Sequence, residues 1–132
     1  MNEERLTITE MALRTGLSVH TLRYYERIGL LDPVERASSG HRRYSMRDIA
    51  WVEFLTRLRK TGMQIRMMQH YARLRHEGDS TLRARRELLE AHQRETQNQI
   101  NDLQQNLAAI SEKIKTYQNM ETEYERKHNN SL

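Results

Sequence analysis

Trp51, Phe54, Leu55 and Leu58 recur at the i, i+3, i+4, i+7 spacing of one helical face, so residues from Ser45 to about Lys60 read as an amphipathic helix. Ser45, with Asp48 three residues on, opens it and Gly62 stops it. The same punctuation marks the flanking segments. Thr7 with Glu10 fits a capping box that opens a short helix closed by Gly16. Ser18 caps a second helix, about Val19 to Ile28, which Gly29 stops. A fourth helix runs from about Gln64 to Glu77 and ends at Gly78, with Met63, Ile65, Met67, Met68 and Tyr71 as an apolar packing cluster. Between the second and third, Asp32–Ser45 holds the only proline and a Ser-Ser-Gly cluster. It reads as a small hairpin with strands near Val34–Arg36 and Arg42–Tyr44.

The pattern changes after residue 79. From Ser80 to about Tyr124 there is neither Gly nor Pro. Ile100, Leu107 and Ile114 repeat every seven residues, and Leu82, Leu89, Leu103, Ile110 and Tyr117 hold the second register of the same heptad, with Arg86, Gln93 and Thr96 interrupting its earlier part. Such a helix, roughly 65 Å long at 1.5 Å per residue, packs along another helix. A second copy of the chain is the simplest cover, and a fold back onto its own N-terminal half is the alternative. The tail, 125–132, reads as flexible.

Within residues 8–28, Ala12 and Gly16 supply the small contact and the positive-φ turn that two closely crossing helices require. Met11, Thr15, Leu17, Leu22 and Tyr25 then fall inward. Ser18, Val19, His20, Arg23, Tyr24 and Arg27 face outward, a set suited to phosphate oxygens and base edges. Arg42 and Arg43 on the hairpin add a basic finger. Charge follows the same division. Residues 1–76 carry 14 Lys/Arg against 8 Asp/Glu, and residues 77–132 carry 8 against 10, which directs the first half to a polyanion.

Several function classes drop out. With no cysteine among the 132 residues, disulfides, thiolate nucleophiles and thiolate metal sites are closed. His70 and His76, six apart, share no helical face of the i,i+4 kind, so neither a metal nor another cofactor is expected. No nucleophile–base pair or phosphate-binding glycine loop suggests an enzyme. No apolar run approaches the roughly 18–20 residues that cross a bilayer, and the N-terminus lacks a secretory pattern, so a cytoplasmic protein is expected. Two readings remain: a sequence-specific DNA-binding regulator, or a coiled-coil module whose basic domain binds an acidic protein.

TITEMALRTGLSVHTLRYYERIGLL followed by SSGHRRYSMRDI resembles the MerR family of bacterial transcription regulators over about residues 6–76. The resemblance implies a mainly α fold: a winged helix-turn-helix, linking helices, and a long C-terminal helix forming an antiparallel coiled-coil dimer. It places the DNA-binding domain at 1–78 (helix-turn-helix about 8–28, wing about 33–45, linking helices about 46–77) and the dimerisation helix at 79–124. It also implies a homodimer that distorts a pseudo-palindromic operator in double-stranded promoter DNA, acting on RNA polymerase indirectly through the promoter, as activator or repressor. Carried onto this chain, the DNA contacts fall on Ser18, His20, Thr21, Arg23, Tyr24, Arg42, Arg43 and Tyr44. The dimer contacts fall on Leu89, Ile100, Leu103, Leu107, Ile110, Ile114 and Tyr117. IAWVEFLTRLRKTGMQI and HEGDSTLRARRELL are most similar to the aldehyde-responsive subgroup, but Arg57 stands where that subgroup has its cysteine, so a thiol-adduct sensor is not expected.

Overall fold

A computed structural model describes residues 5–32 and 43–129. Helix α1 spans Ile8–Thr15, α2 Val19–Arg27, α3 Met46–Lys60 and α4 Ile65–Glu77; a 3-10 turn at Asp79–Thr81 leads into α5, Leu82–Asn129. The chain divides into two compact units, one ending at His92 and the other beginning at Gln93.

Local chemistry explains each boundary in the first unit. Thr7 and Glu10 form a reciprocal capping box, and Gly16 ends α1 in the left-handed region at φ 76°. Ser18 caps α2 and accepts a hydrogen bond from the Thr21 N–H at 3.0 Å. Ser45 and Asp48 form a second capping box at the start of α3. The expected limits of these helices hold to within a residue or so. The core joins Leu6, Met11, Leu22, Leu30, Leu55 and Met68, among others, and each such side chain contributes about 1.5–3 kcal/mol by leaving water. Of the apolar cluster assigned to α4, Met63, Met68 and Tyr71 are buried and Ile65 is half-buried. Met67 is 46% exposed, at the edge of the apolar face and about 100° round the helix from the buried Met68.

Tyr44 and Leu6 exchange two backbone hydrogen bonds of 2.7 Å in an isolated antiparallel bridge. The second strand of the expected hairpin thus pairs at Tyr44 with the segment preceding α1. The first strand, the turn and Arg42 lie outside the described residues.

The start of α5 belongs to the first unit. Thr81 Oγ1 bonds the carbonyls of Leu74 and Gly78, and the Arg85 guanidinium donates to the Gly78 carbonyl at 3.0 Å. Thr61 Oγ1 and His92 Nε2 lie 2.7 Å apart. Leu88 and Leu89 pack against the core of their own chain. Leu89, expected in the dimer seam, is half-buried against the core of its own chain.

At 48 residues, α5 is about 72 Å long. It continues to Asn129, past the expected end near Tyr124, so residues 125–129 are helical and not a flexible tail. The last turn carries Arg126, Lys127 and His128, whose charges suit a helix C-terminus. Arg126 pairs with Glu123, and the His128 ring stacks on Tyr124 at 3.9 Å.

Candidate nucleic-acid interface

Leu22 is fully buried and Tyr25 is 5% exposed, which fixes which side of α2 meets the core. His20, Arg23, Tyr24 and Arg27 stand on the other side at i, i+3, i+4 and i+7, all exposed. They form one stripe along the short helix. Burial pushes the Tyr25 hydroxyl above its ordinary pKa, although the Arg59 charge opposes the shift. Of the two adjacent tyrosines, one serves the core and the other the surface.

Tyr24 is 37% exposed, and the Arg27 guanidinium lies over its ring at 5.6 Å from the centroid. Arg27 lies on the outward face that the sequence predicts, although it is not among the DNA contacts that the family resemblance implies. Its i+3 spacing from Tyr24 is the signal that links the two. Ser18 and Thr21 are joined by their hydroxyls at 2.9 Å, so their first duty is to close the start of α2.

Two side chains fasten the end of this helix to the elements behind it. The Trp51 indole N–H donates to the Leu30 carbonyl at 2.7 Å, and the Gln69 amide donates to the Ile28 carbonyl at 2.9 Å. Trp51 is itself sandwiched, with Tyr71 stacked at 5.5 Å and the Arg75 guanidinium 4.1 Å from its ring centroid. These contacts hold α2 from its C-terminal side by α3 and α4.

On the finger, Arg43 is half-buried and Tyr44 has 0% exposure. A ring in that position cannot lie against a deoxyribose. Tyr44 is therefore corrected from a DNA contact to a core residue, held inward by its pairing with Leu6. The backbone N–H of Thr7, with help from its side chain, holds the Glu10 carboxyl below the ordinary carboxylate range; the Arg43 charge adds a smaller push in the same direction. Arg43 thus acts electrostatically on the first turn of α1.

Among the described residues, no group of three or more His, Cys, Asp or Glu comes together as a metal site. No helix of the described residues is long and apolar enough to cross a membrane.

The family model for MerR HTH family regulatory proteins matches residues 6–75, and that for the MerR DNA-binding region matches residues 49–113. The transcriptional regulator AdhR of Bacillus subtilis (strain 168) is 44% identical over 84 residues, which are 64% of this chain and 60% of AdhR. The match thus spans less than two thirds of AdhR. An uncharacterized HTH-type regulator of Haemophilus influenzae is 33% identical over 85% of this chain and 83% of its own length. Two crystal structures share the fold closely. A protein of Listeria monocytogenes described as a MerR family transcriptional regulator superposes with a TM-score of 0.81 at 39% identity, covering 85% of each chain. HiNmlR, a MerR family regulator lacking the sensor domain and bound to promoter DNA, superposes with a TM-score of 0.80 at 32% identity, covering 87% of this chain and 91% of that one. The chain belongs to the MerR family of helix-turn-helix transcriptional regulators.

Proposed function

We propose that the chain acts as a homodimer that binds a pseudo-palindromic operator in double-stranded promoter DNA and distorts it. RNA polymerase then responds to the shape of the promoter. The observation that carries this reading is the exposed stripe His20, Arg23, Tyr24 and Arg27, backed by buried Leu22 and Tyr25. Two arginines and a hydroxyl-bearing ring on one helical face suit phosphate oxygens, sugars and base edges. HiNmlR, a MerR family regulator solved on promoter DNA, shares this fold, which supports promoter DNA as the partner of this chain. In the chain as we read it, residues 1–78 bind DNA, with Ser18, His20, Thr21 and Arg43 contributing beside Arg23 and Tyr24, and α5 supplies the dimer contact. Arg42, outside the described residues, belongs to the same proposal. The setting is the cytoplasm, where the promoter is.

The competing reading, a basic domain that docks an acidic protein, is not favoured by membership in a family of DNA-binding regulators. Fluorescence anisotropy on labelled duplexes tests the choice. The expected result is binding to one symmetric promoter duplex at least a thousandfold tighter than to a scrambled duplex (on the order of 10³ or more), with affinity falling steeply as salt rises. Equal affinity for all duplexes would return the question to the protein-docking reading.

A further inference from the structure

Ile28, Leu30 and Asp32, alternate residues of the segment that leaves α2, are each met by a side chain of α3 or α4. The Gln69 amide and the Trp51 indole donate to the carbonyls of the first two, and neither donor titrates. The third contact differs in kind. His76 Nδ1 lies 3.4 Å from Asp32 Oδ1, with the two side chains 77% and 63% exposed. Gln69 and His76 stand two turns apart on α4, so one face of that helix carries the first and last of the three contacts.

A groove of about 400 Å³ runs between the segment and α4 at this last contact. Among the described residues its walls are Gly29 and Asp32 on one side and Ala72, Arg73, His76 and Glu77 on the other. The charged groups facing the imidazole are thus the Asp32 carboxylate from the segment and Arg73 and Glu77 from its own helix. Two carboxylates against one guanidinium make these surroundings net negative. Leu30 and Leu31, by contrast, are only 1% and 2% exposed, and their N–H groups both donate to the Tyr25 carbonyl, at 2.8 and 3.2 Å. The segment is therefore fixed in the core as far as Leu31, and Asp32 is held across the groove by His76. An imidazole changes charge between about pH 5 and 8. Protonated, it meets Asp32 as an ion pair; neutral, it offers at best an uncharged hydrogen bond, roughly half as strong.

We propose that His76 and Asp32 form a proton-operated latch between α4 and the segment behind α2. Proton uptake by His76 closes the third contact and firms the support of α2; proton loss leaves two contacts. Asp32 also directly precedes the stretch that the sequence marks as the basic finger, so the latch sits where the chain passes from one to the other. Both partners are exposed, and an ion pair of this kind shifts an equilibrium by roughly two- to fivefold. The latch lies within one compact unit of one chain and does not depend on the dimer or on DNA.

Amide hydrogen exchange of the full chain without DNA, followed by NMR, reads the latch at Leu30 and Leu31. Expressed against the unstructured rate at the same pH, protection should be roughly two- to fivefold greater at about pH 5.5 than at about pH 7.5. Asp32→Asn and His76→Gln should each bring the acid value down to the neutral one. His76→Lys, whose charge does not titrate in this range, should keep the acid value at both. His76 also belongs to the last turn of α4, where a positive charge favours the helix end whatever Asp32 does. Asp32→Asn separates the two effects. A pH dependence that survives in Asp32→Asn belongs to the helix end and overturns the latch, as does one that survives in His76→Lys. Equal protection at both pH values in the unsubstituted chain overturns it as well. Each of these failures leaves the DNA-binding reading intact, since no duplex takes part in the measurement.

Discussion

Arg23 occupies the middle of the exposed stripe on α2, between His20 and Arg27, with its side chain on the side away from Leu22. Arg23→Ala should weaken binding to the cognate duplex by about 1–3 kcal/mol without changing the melting temperature. Anisotropy titration at two salt concentrations checks this, and unchanged affinity would move the DNA contact to another face. Glu10 invites a pH measurement. Its carboxyl is depressed in the folded protein, mainly by the Thr7 N–H, so its charge stabilises the fold above the unfolded pKa. That contribution is lost as pH falls through the lower, folded value. Glu10→Gln retains a capping acceptor but no charge, so its melting temperature should fall less steeply than that of the unsubstituted chain on the acid side. Parallel curves would show that the charge has no part in the cap. The α2 stripe was legible in the sequence because Leu22 and Tyr25 fix the helix phase. Tyr44 was not, because strand alternation says only that neighbours oppose each other. Which of them turns inward was decided by the pairing of Tyr44 with Leu6, a residue 38 positions away.

At the scale of elements, helix starts and stops were readable wherever a capping side chain or a positive-φ glycine sets them. Gly16, Gly29, Gly62 and Gly78 all adopt positive φ, at the end of α1, α2, α3 and α4 respectively. The end of α5 was misread because no such stop exists there, and its basic last turn favours continuation. Heptad spacing likewise marks an exposed apolar stripe on α5 but not which partner uses each position. Leu89 fits the repeat and also packs against the core of its own chain. The seam itself carries a direct prediction. Leu107→Asp places a charge where two apolar stripes would meet and should convert the dimer to monomer in sedimentation velocity, with the helical circular dichroism of the first unit retained. A dimer that survives would refute the heptad assignment.

Over the whole chain, a basic stretch and a slightly acidic one correspond in outline to the two compact units, and α5 passes from one to the other without a glycine or proline. Family membership accounts for the fold and for DNA-binding regulation. The absence of cysteine does separate it from thiol-based sensing at Arg57.

Trp51 is the only tryptophan, and it sits where the end of α2 is tied down from behind. Its emission therefore comes from a single location, flanked by a cation and a stacked phenol. Any loosening of that tie would change the polarity and quenching felt by the indole. The protein carries its own optical gauge for how firmly α2 is gripped, and stopped-flow mixing with unlabelled duplex can read it in real time.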